Sequence, residues 1–516
     1  MTRPIRLIRG FFTVGFWTLM SRILGFVRDI MIAAFLGAGP VAEAFLIAFS
    51  LPNMFRRFFA EGAFNMAFVP MFAKKVEAGD NAQDFARDAL SGLLAVVLAV
   101  TLLAQMFMPW LVLAMASGFL ADERFDLAVD FGRIAFPYIL FISAAALISG
   151  ALNALGRFWV AAAAPVLLNI LFIGAMLLAW AAGWDIGRAL IWTVPLAGAA
   201  QMVMVWRAAA KAGLRLWPRW PRLTPELKRL AVIAAPAALA GGVVQVNLLV
   251  GRQVASFFDG AIAWLNYADR LYQLPLGVVG IAIGVVLLPD LARRLRADDA
   301  VGGRYAVNRA AEFSLALTLP AAAALVVIPE PLIAVLFQRG AFDATDAAMT
   351  AQALAIYGLG LPAFVLQKVL QPLYFAREDT TRPFRYALVA MAVNAVLAVG
   401  LMGPLGFLAA ALGTTLAGWA MVALLWAGSR GMGEAARPDA RMLRALPRLG
   451  LATGVMAVFL WLLAGWLAPW LATGGARYLA LALLVIGGGA VYAGAAFATG
   501  AITTESLRSA MQRGGK

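Results

Sequence analysis

The sequence predicts an all-α protein that crosses a membrane many times. Hydrophobic residues make up 63% of its 516 residues and charged residues only 13%, and the mean hydropathy is +0.85. A soluble domain carries about 25% charged residues. Apolar windows long enough to cross a hydrocarbon core of roughly 30 Å recur along the chain. The alternating segments of about ten residues that are typical of a transmembrane barrel are missing from the sequence.

The residue types exclude several kinds of chemistry. Cysteine and histidine are both absent, which excludes disulfides, thiol nucleophiles, Cys/His zinc sites and the commonest general base at neutral pH. No GxxxxGK[ST] loop is present, so the sequence gives no sign of an ATP-binding site that could drive transport. The net charge of +15 does not require nucleic acid, because cytoplasmic loops of membrane proteins collect Lys and Arg. Basic residues followed by a long apolar run, without a small-residue cleavage site, predict a retained first helix.

The apolar windows divide the chain into fourteen candidate spans joined by short connections. Their centres fall in 11–36, 44–73, 88–116, 131–154, 159–182, 186–207, 229–257, 262–291, 312–337, 350–375, 384–402, 406–428, 446–468 and 477–499. Basic residues occupy every alternate loop, as at Lys74, Arg157, Lys211 and Arg293. This alternation predicts that both termini lie in the cytoplasm and supports an even number of spans.

Internal similarity indicates a duplication. Asn169 and Asn394 each follow an arginine by twelve residues, and Pro52 has a counterpart in Pro275, at a shared offset of about 220 residues. A repeat with a site at the repeat interface is typical of transporters. The predicted division is an N-terminal lobe at 1–210, a basic cytoplasmic linker at 211–230, a C-terminal lobe at 231–430 and two additional helices at 431–516. We expect the linker to be a solvated loop with tryptophan anchors, with attraction to anionic lipid headgroups as the alternative.

Charged residues inside the first span point to an anion site. An ionisable residue near the bilayer centre costs roughly 2.5–3.5 kcal/mol, so such residues face a protein interior or a water-filled cavity. Arg22 and Asp29 are seven residues apart and share a helix face, while Arg28 is displaced around the helix. We expect an arrangement of Arg22 and Asp29 that leaves guanidinium donors for an anion. A purely structural ion pair is the alternative.

The second span is predicted to be broken and kinked at Pro52, because proline removes a backbone donor where bulk water cannot replace it. An ordinary transmembrane kink is the alternative. Asn53 could then satisfy the freed backbone groups. Arg56 is the residue we expect to face the cavity, and Arg57 is expected to pair with Glu61 four residues on.

Polar residues of the seventh and eighth spans are further candidates for the anion site. Arg270 follows Asp269 in the eighth span, and a snorkelling arginine near the outer end is the alternative interpretation. Gln245 and Asn247 suit helix–helix hydrogen bonds or a cavity wall. Arginine binds phosphate oxygens bidentately and stays charged in a dry site, so the cluster suggests a phosphate- or pyrophosphate-bearing substrate. The acids of the outer loops are expected to be solvated: Asp122, Glu123, Asp343 and Asp346.

These residues resemble the MurJ (MviN) family of lipid II flippases, within the multidrug/oligosaccharidyl-lipid/polysaccharide exporter superfamily. The matching motifs are SRxLGFxRD at 21–29, LPNxxRRxFAEGAF at 51–64, FVP at 68–70 and YADR at 267–270. The resemblance implies two pseudo-symmetric six-helix lobes around a central cavity, with helices thirteen and fourteen forming a lipid-facing groove. It implies cavity arginines at Arg22, Arg28, Arg56 and Arg270, with Asp29 beside them. Glu43 stands where many members have Asp, so its gating or structural role carries over less directly.

The resemblance also implies a substrate and a location. The substrate would be the undecaprenyl-pyrophosphate-linked peptidoglycan precursor lipid II, moved from the cytoplasmic to the periplasmic leaflet of the bacterial inner membrane by alternating access. The expected protein is a monomeric transporter and not an enzyme, with lipid II, the bilayer and the cell-wall synthesis machinery as partners, and no cofactor or nucleic acid. A coupled monovalent cation, with Asp379 and Asn394 as candidate contributors, and the membrane potential stay open as energy sources.

Two other functions are alternatives to this one. A drug, metabolite or other polysaccharide-lipid exporter of the same superfamily would have a less cationic pocket. A membrane-embedded enzyme acting on polyprenyl phosphates would need a cluster of acids near one membrane face, which the sequence lacks.

Overall fold

The computed structural model describes residues 4–57, 63–472 and 474–501, and gives side-chain surroundings for these except at 4–12, 63–64, 66, 235–247 and 278–286. In this part of the chain every regular element is a helix, apart from one isolated bridge between Arg339 and Phe342. Ten of the described helices are long and apolar enough to cross a membrane. The prediction of an all-α, multi-pass membrane protein is therefore confirmed.

The chain forms two compact units, and the first comprises Met1–Ala263 with Arg339–Phe342. Its helices are α1 (Pro4–Leu36), α2 (Pro40–Arg56), α3 (Ala63–Ala78), α4 (Ala82–Met106), α5 (Met108–Met115), α6 (Arg124–Ala135), α7 (Tyr138–Ala154), α8 (Trp159–Ala182), α9 (Ile186–Lys211) and α10 (Pro225–Ser256). A short 3₁₀ helix at Ser117–Ala121 lies between α5 and α6.

The second unit comprises Trp264–Gln338 and Asp343–Lys516. Its helices are α11 (Ala261–Arg296, whose first turn belongs to the first unit), α12 (Ala300–Val327), α13 (Pro329–Phe337), α14 (Ala344–Phe375), α15 (Thr381–Gly400), α16 (Met402–Leu405), α17 (Leu408–Ser429), α18 (Ala440–Leu471) and α19 (Ala476–Ala498). A core of apolar side chains, including Leu291, Val365, Leu373 and Leu425, fills the space between its helices.

Several predicted spans are each covered by two consecutive helices. These pairs are α2 with α3, α4 with α5, α6 with α7, and α12 with α13. In three of them a proline lies at the start of the second helix: Pro109, Pro137 and Pro329. Proline fits there because the first helical residues have no intrahelical partner for their N–H groups. The count of fourteen spans and the cytoplasmic location of both termini stay predictions.

The linker between α9 and α10 is more ordered than a solvated loop. Leu214 and Leu216 are buried. The guanidinium of Arg219 donates to both carboxylate oxygens of Asp88 at 2.6 Å and to Asp84 at 3.1 Å. Its backbone N–H donates to the Ser91 hydroxyl at 2.8 Å. The linker is therefore fastened along α4, while its tryptophans stay exposed as expected, Trp220 by 88%.

The end of α10 is held against the first unit by polar contacts. The Gln253 amide nitrogen donates to the carbonyls of Leu113 and Ala114, and its oxygen accepts from the Ser117 N–H at 2.8 Å. A Cβ atom at Gly118 would lie 2.5 Å from the Ser256 carbonyl group, so only glycine allows this approach. By its contacts α10 thus belongs to the first unit, and the sequence-based division into two six-helix lobes stays a prediction.

The C-terminal pair α18–α19 packs on α12. The Arg309 side chain contacts Glu312 and Asp439, and Arg304 donates to the Pro438 carbonyl at 2.6 Å. Tyr492 of α19 donates to the Ala316 carbonyl of α12 at 2.6 Å. These contacts fasten the additional helices to the second unit at more than one level.

Candidate substrate-binding site

An interior ion pair lies at the contact of α1 with α8. Arg28 and Asp29 are 7% and 5% exposed. The Nε and Nη2 atoms of Arg28 donate to one oxygen of Asp29 at 3.0 and 2.8 Å, and Nη1 donates to Asn169 at 2.9 Å. Asn169 in turn donates to the Ser21 carbonyl at 3.0 Å, and Phe172 lies beneath the guanidinium. These bonds use three of the five N–H groups of the Arg28 guanidinium. The other two do not take part in them.

The pairing differs from the one expected for α1. Asp29 pairs with its neighbour Arg28 and not with Arg22, although Arg22 lies on the same helix face. Asn169 also accepts a hydrogen bond from Arg28, which holds this guanidinium beside Asp29. Arg22 is exposed, and its side chain makes no hydrogen bond or ion pair with the residues that the structure describes.

The helix does not end at Pro52 as a break would require, because α2 continues through this residue to Arg56. The kink expected at the proline stays a prediction. Pro52 is buried, and Asn53 donates from its side chain to the Phe49 carbonyl at 2.8 Å, in the turn that the proline weakens. Phe49 also packs on Phe172 of α8. Arg56 is half-buried at the end of α2. The expected partner of Arg57, Glu61, lies outside the described residues.

In the second unit, α11 presents Asp269 and Arg270 side by side, both half-buried. Asp269 accepts a hydrogen bond from Gln273 one turn later. The flanking aromatic residues fix this part of the helix: Tyr267 packs on Phe337, and Tyr272 packs on Tyr357. The side chains of Gln245 and Asn247 on α10 lie outside the described ones, so their predicted roles are untested.

Glu43 lies in a buried charge cluster with an arginine that the sequence did not single out. Glu43 is 1% exposed and Arg124 is 4% exposed. Glu43 accepts from Arg124 at 2.8 Å through one oxygen and from the Ile262 N–H at 2.9 Å through the other. Arg124 also bonds Asp122 at 2.6 Å and Asp259 at 2.9 Å, and the Phe119 ring covers it at 4.5 Å. The cluster joins α2, α6 and the start of α11.

Arg124 went unnoticed because it stands among acids in what reads as an outer loop. The structure shows that Arg124 is the first residue of α6, where the helix dipole disfavours a cation and anionic partners compensate it. Asp122 was expected to be merely solvated, but it is bound to this arginine. The hydrogen bond from Arg124 holds the pKa of Asp122 below its usual value.

A short loop of the first unit is bound to the end of α1. The Ala341 N–H donates to the Ala34 carbonyl at 2.8 Å. Gly340 has φ +59°, and a Cβ atom there would lie 2.2 Å from the Ala34 oxygen. Gly37, with φ +61°, meets the Ala341 oxygen in the same way at 2.5 Å. Each close approach requires a residue without a side chain.

Three of the remaining singled-out acids, Asp343, Asp346 and Asp379, have local partners, and Glu123 is exposed. Asp343 and Asp346 form a capping box at the start of α14, and Asp346 accepts from the Trp264 indole at 2.8 Å. Asp379 pairs with Arg382 at the start of α15, and Asn394 is buried in that helix. Among the described residues no group of three or more acids could hold a metal ion.

One cation of the second unit was missed. Lys368 lies on α14, in a candidate membrane span, and is exposed. Its side chain makes no hydrogen bond or ion pair within the described part of the chain. A lone lysine in an apolar span is a signal that the hydropathy pattern could have revealed.

The comparisons with known proteins agree on one family. A family model described as lipid II flippase MurJ matches residues 32–481. A protein of Rhizobium meliloti (strain 1021), named "Probable lipid II flippase MurJ", is 45% identical over 98% of this chain and 97% of its own length.

Two solved structures have a similar fold. One of them, of lipid II flippase MurJ in an inward closed conformation, superposes with a TM-score of 0.79 at 24% identity and covers 94% of this chain and 97% of that one. An inward-facing multidrug resistance MATE family transporter of the MOP superfamily superposes at 0.67 with 14% identity, covering 81% and 96%. At these identities the likeness concerns the fold alone.

Proposed function

The chain belongs to the MurJ family of lipid II flippases, and from this premise we propose that it carries lipid II from the cytoplasmic to the periplasmic leaflet by alternating access. Its family is one of transporters, so no bond of the substrate is made or broken. The proposed membrane is the bacterial inner membrane, with both termini in the cytoplasm.

The observation that carries the proposed binding mode is the exposed guanidinium of Arg22. It lies fourteen residues before the end of α1, a distance of about 21 Å along the helix, and thus deep in a span. A cation at that depth is tolerated when it faces water and an anion. A pyrophosphate supplies that anion, and arginine binds phosphate oxygens in bidentate geometry.

The neighbouring charges support Arg22 in this proposal. Arg28 keeps two N–H groups for a substrate oxygen, because Asp29 and Asn169 occupy the other three. Asp29 would then orient the Arg28 guanidinium and would not itself contact the substrate. Arg56 and Arg270, both half-buried, complete the proposed set of cavity arginines, and Lys368 is a further exposed cation of the second unit.

The finer architecture belongs to the same proposal. Two six-helix lobes, at 1–210 and 231–430, would enclose the cavity, and the helices of 431–516 would hold the polyprenyl tail in lipid. Glu43, Pro52, Asn53, Glu61, Gln245, Asn247 and Asp269 would support the site or its gates. The membrane potential or a coupled monovalent cation would drive the cycle.

The test is complementation of a strain depleted of its own lipid II flippase. Arg22→Ala and Arg270→Ala should abolish growth and cause lipid II to accumulate, while both variants still insert into the membrane. Arg22→Lys should restore growth poorly, because lysine lacks the bidentate fork. Arg222→Ala is the matched control, since it removes an exposed cation from the linker.

Full growth with normal lipid II levels in both cavity variants would contradict the arginine site. Failure of the wild-type chain to complement, together with increased resistance to drugs, would instead favour an exporter of the same superfamily.

A further inference from the structure

Three cations gather at one end of the α8–α9 pair, away from the residues discussed above. Arg157 precedes α8, and Arg207 and Lys211 lie one turn apart on the last part of α9. All three are exposed, and their side chains make no hydrogen bond or ion pair with residues that the structure describes. Their positive charge is therefore uncompensated by the neighbouring chain.

These cations surround a cavity of about 440 Å³. Its other walls are apolar: Val203 and Met204 lie one turn before Arg207 on the same side of α9, and Trp159 closes it from α8. None of the residues lining the cavity is acidic. The site thus combines a cationic rim with an apolar interior.

The position of the cavity fits the headgroup layer of a bilayer. Helices α8 and α9 are both candidate spans, of 24 and 26 residues, so each is about 36–39 Å long. This exceeds a hydrocarbon core of roughly 30 Å, and the ends of both helices reach the interface. Trp159 is 50% exposed there, as tryptophans at membrane interfaces typically are.

We propose that this cavity binds an anionic glycerophospholipid. Arg157, Arg207 and Lys211 would hold its phosphodiester, and one acyl chain would lie against Val203 and Met204. A zwitterionic lipid would bind less tightly, because its own cation would meet the three cations of the rim. Free phosphate or a phosphate monoester carries at least as much negative charge as the phosphodiester but gains nothing from the apolar walls, so the two sources of phosphate can be separated.

The experiment measures binding of phosphatidylglycerol to the purified full chain in detergent, by native mass spectrometry and by titration. Phosphatidylcholine and glycerol 1-phosphate are the comparison ligands. The triple variant Arg157→Gln/Arg207→Gln/Lys211→Gln should raise the Kd for phosphatidylglycerol at least about tenfold, since each cation near an anionic headgroup contributes substantially. The control variant Arg222→Gln/Lys228→Gln/Arg229→Gln removes the same charge from exposed positions outside the cavity and should change the Kd by less than about twofold.

A second variant tests the cavity without changing the charge. Met204→Trp should fill the apolar part and weaken phosphatidylglycerol binding about as much as the triple variant, while thermal stability is retained. Equal weakening by the cavity and control triple variants would overturn the proposal in favour of diffuse attraction. Glycerol 1-phosphate binding as tightly as phosphatidylglycerol would overturn the lipid assignment, and so would equal binding of phosphatidylcholine.

Discussion

The buried pair of Glu43 and Arg124 should behave as one energetic unit. Glu43→Ala removes a charge-assisted hydrogen bond, about 1.5–3 kcal/mol, and leaves the Ile262 N–H without its acceptor, about 1–3 kcal/mol. We therefore expect a loss of about 3–5 kcal/mol in the free energy of unfolding, in the range for breaking a buried ion pair. Arg124→Ala should cost a similar amount, because it leaves the Glu43 carboxylate buried at 1% exposure.

A double-mutant cycle in mixed micelles, with unfolding by SDS followed by circular dichroism, measures the coupling. The double variant should be little worse than either single one, so the coupling free energy should be about 2–4 kcal/mol. Asp259→Ala is the matched control: its side chain is 95% exposed although it also contacts Arg124, and its removal should change the stability by less than about 1 kcal/mol.

Shortening the side chain tests the same geometry in another way. Glu43→Asp withdraws the carboxylate by about 1.5 Å, one carbon–carbon bond, so it cannot keep both the Arg124 and the Ile262 contacts. A cost of about 1–2 kcal/mol is expected. Single alanine variants that each cost under about 1 kcal/mol, or that add without coupling, would refute the reasoning.

Three further outcomes are expected. Asn169→Leu should destabilise the chain by about 2–4 kcal/mol in the same assay, because it leaves Arg28 short of one buried acceptor; an unchanged midpoint would contradict the role of this amide. Gly340→Ala should lower the Tm clearly more than Gly79→Ala, since both have positive φ but only Gly340 meets a carbonyl oxygen at 2.2 Å; equal shifts would remove the steric argument. The lowered pKa of Asp122 means that its contribution to stability is complete above its unfolded pKa, about 4, and is lost as the pH falls through the lower folded value. Asp122→Asn should therefore weaken the decline of Tm with pH in acid, and an identical decline would contradict this.

The sequence predicted the class of fold because hydropathy is a property of long windows. Each predicted span corresponds to a helix or to a pair of consecutive helices. Three of the pairs, α4 with α5, α6 with α7, and α12 with α13, were missed because their interruptions last one or two residues and leave the apolar window intact, as at Pro137 between α6 and α7. The continuation of α2 through Pro52 was missed although Asn53 was singled out, because the presence of a proline does not tell whether its helix ends or continues.

The sequence pattern could not identify hydrogen-bond partners that lie far apart in the chain. The identity of the first-span ion pair depends on Asn169, which is 141 residues away from Arg28. Glu43 accepts hydrogen bonds from Arg124 and Ile262, which are 81 and 219 residues away in the chain. Helical periodicity orders residues around one helix, but it does not say which helix lies opposite. The site arginines stay predictions until the variants above are measured.

The ion pair on α1 has an electrical consequence. Arg28 and Asp29 are bonded to each other, so any rigid motion of α1 carries them as a neutral couple on which the transmembrane field does no net work. Arg22 has no such compensation within the described chain. Moving a unit charge across the whole membrane potential changes its energy by about 2.3 kcal/mol per 100 mV. Among the charged residues of α1 whose side chains the structure describes, voltage sensitivity would therefore be concentrated in Arg22, and an anion bound there would offset its charge.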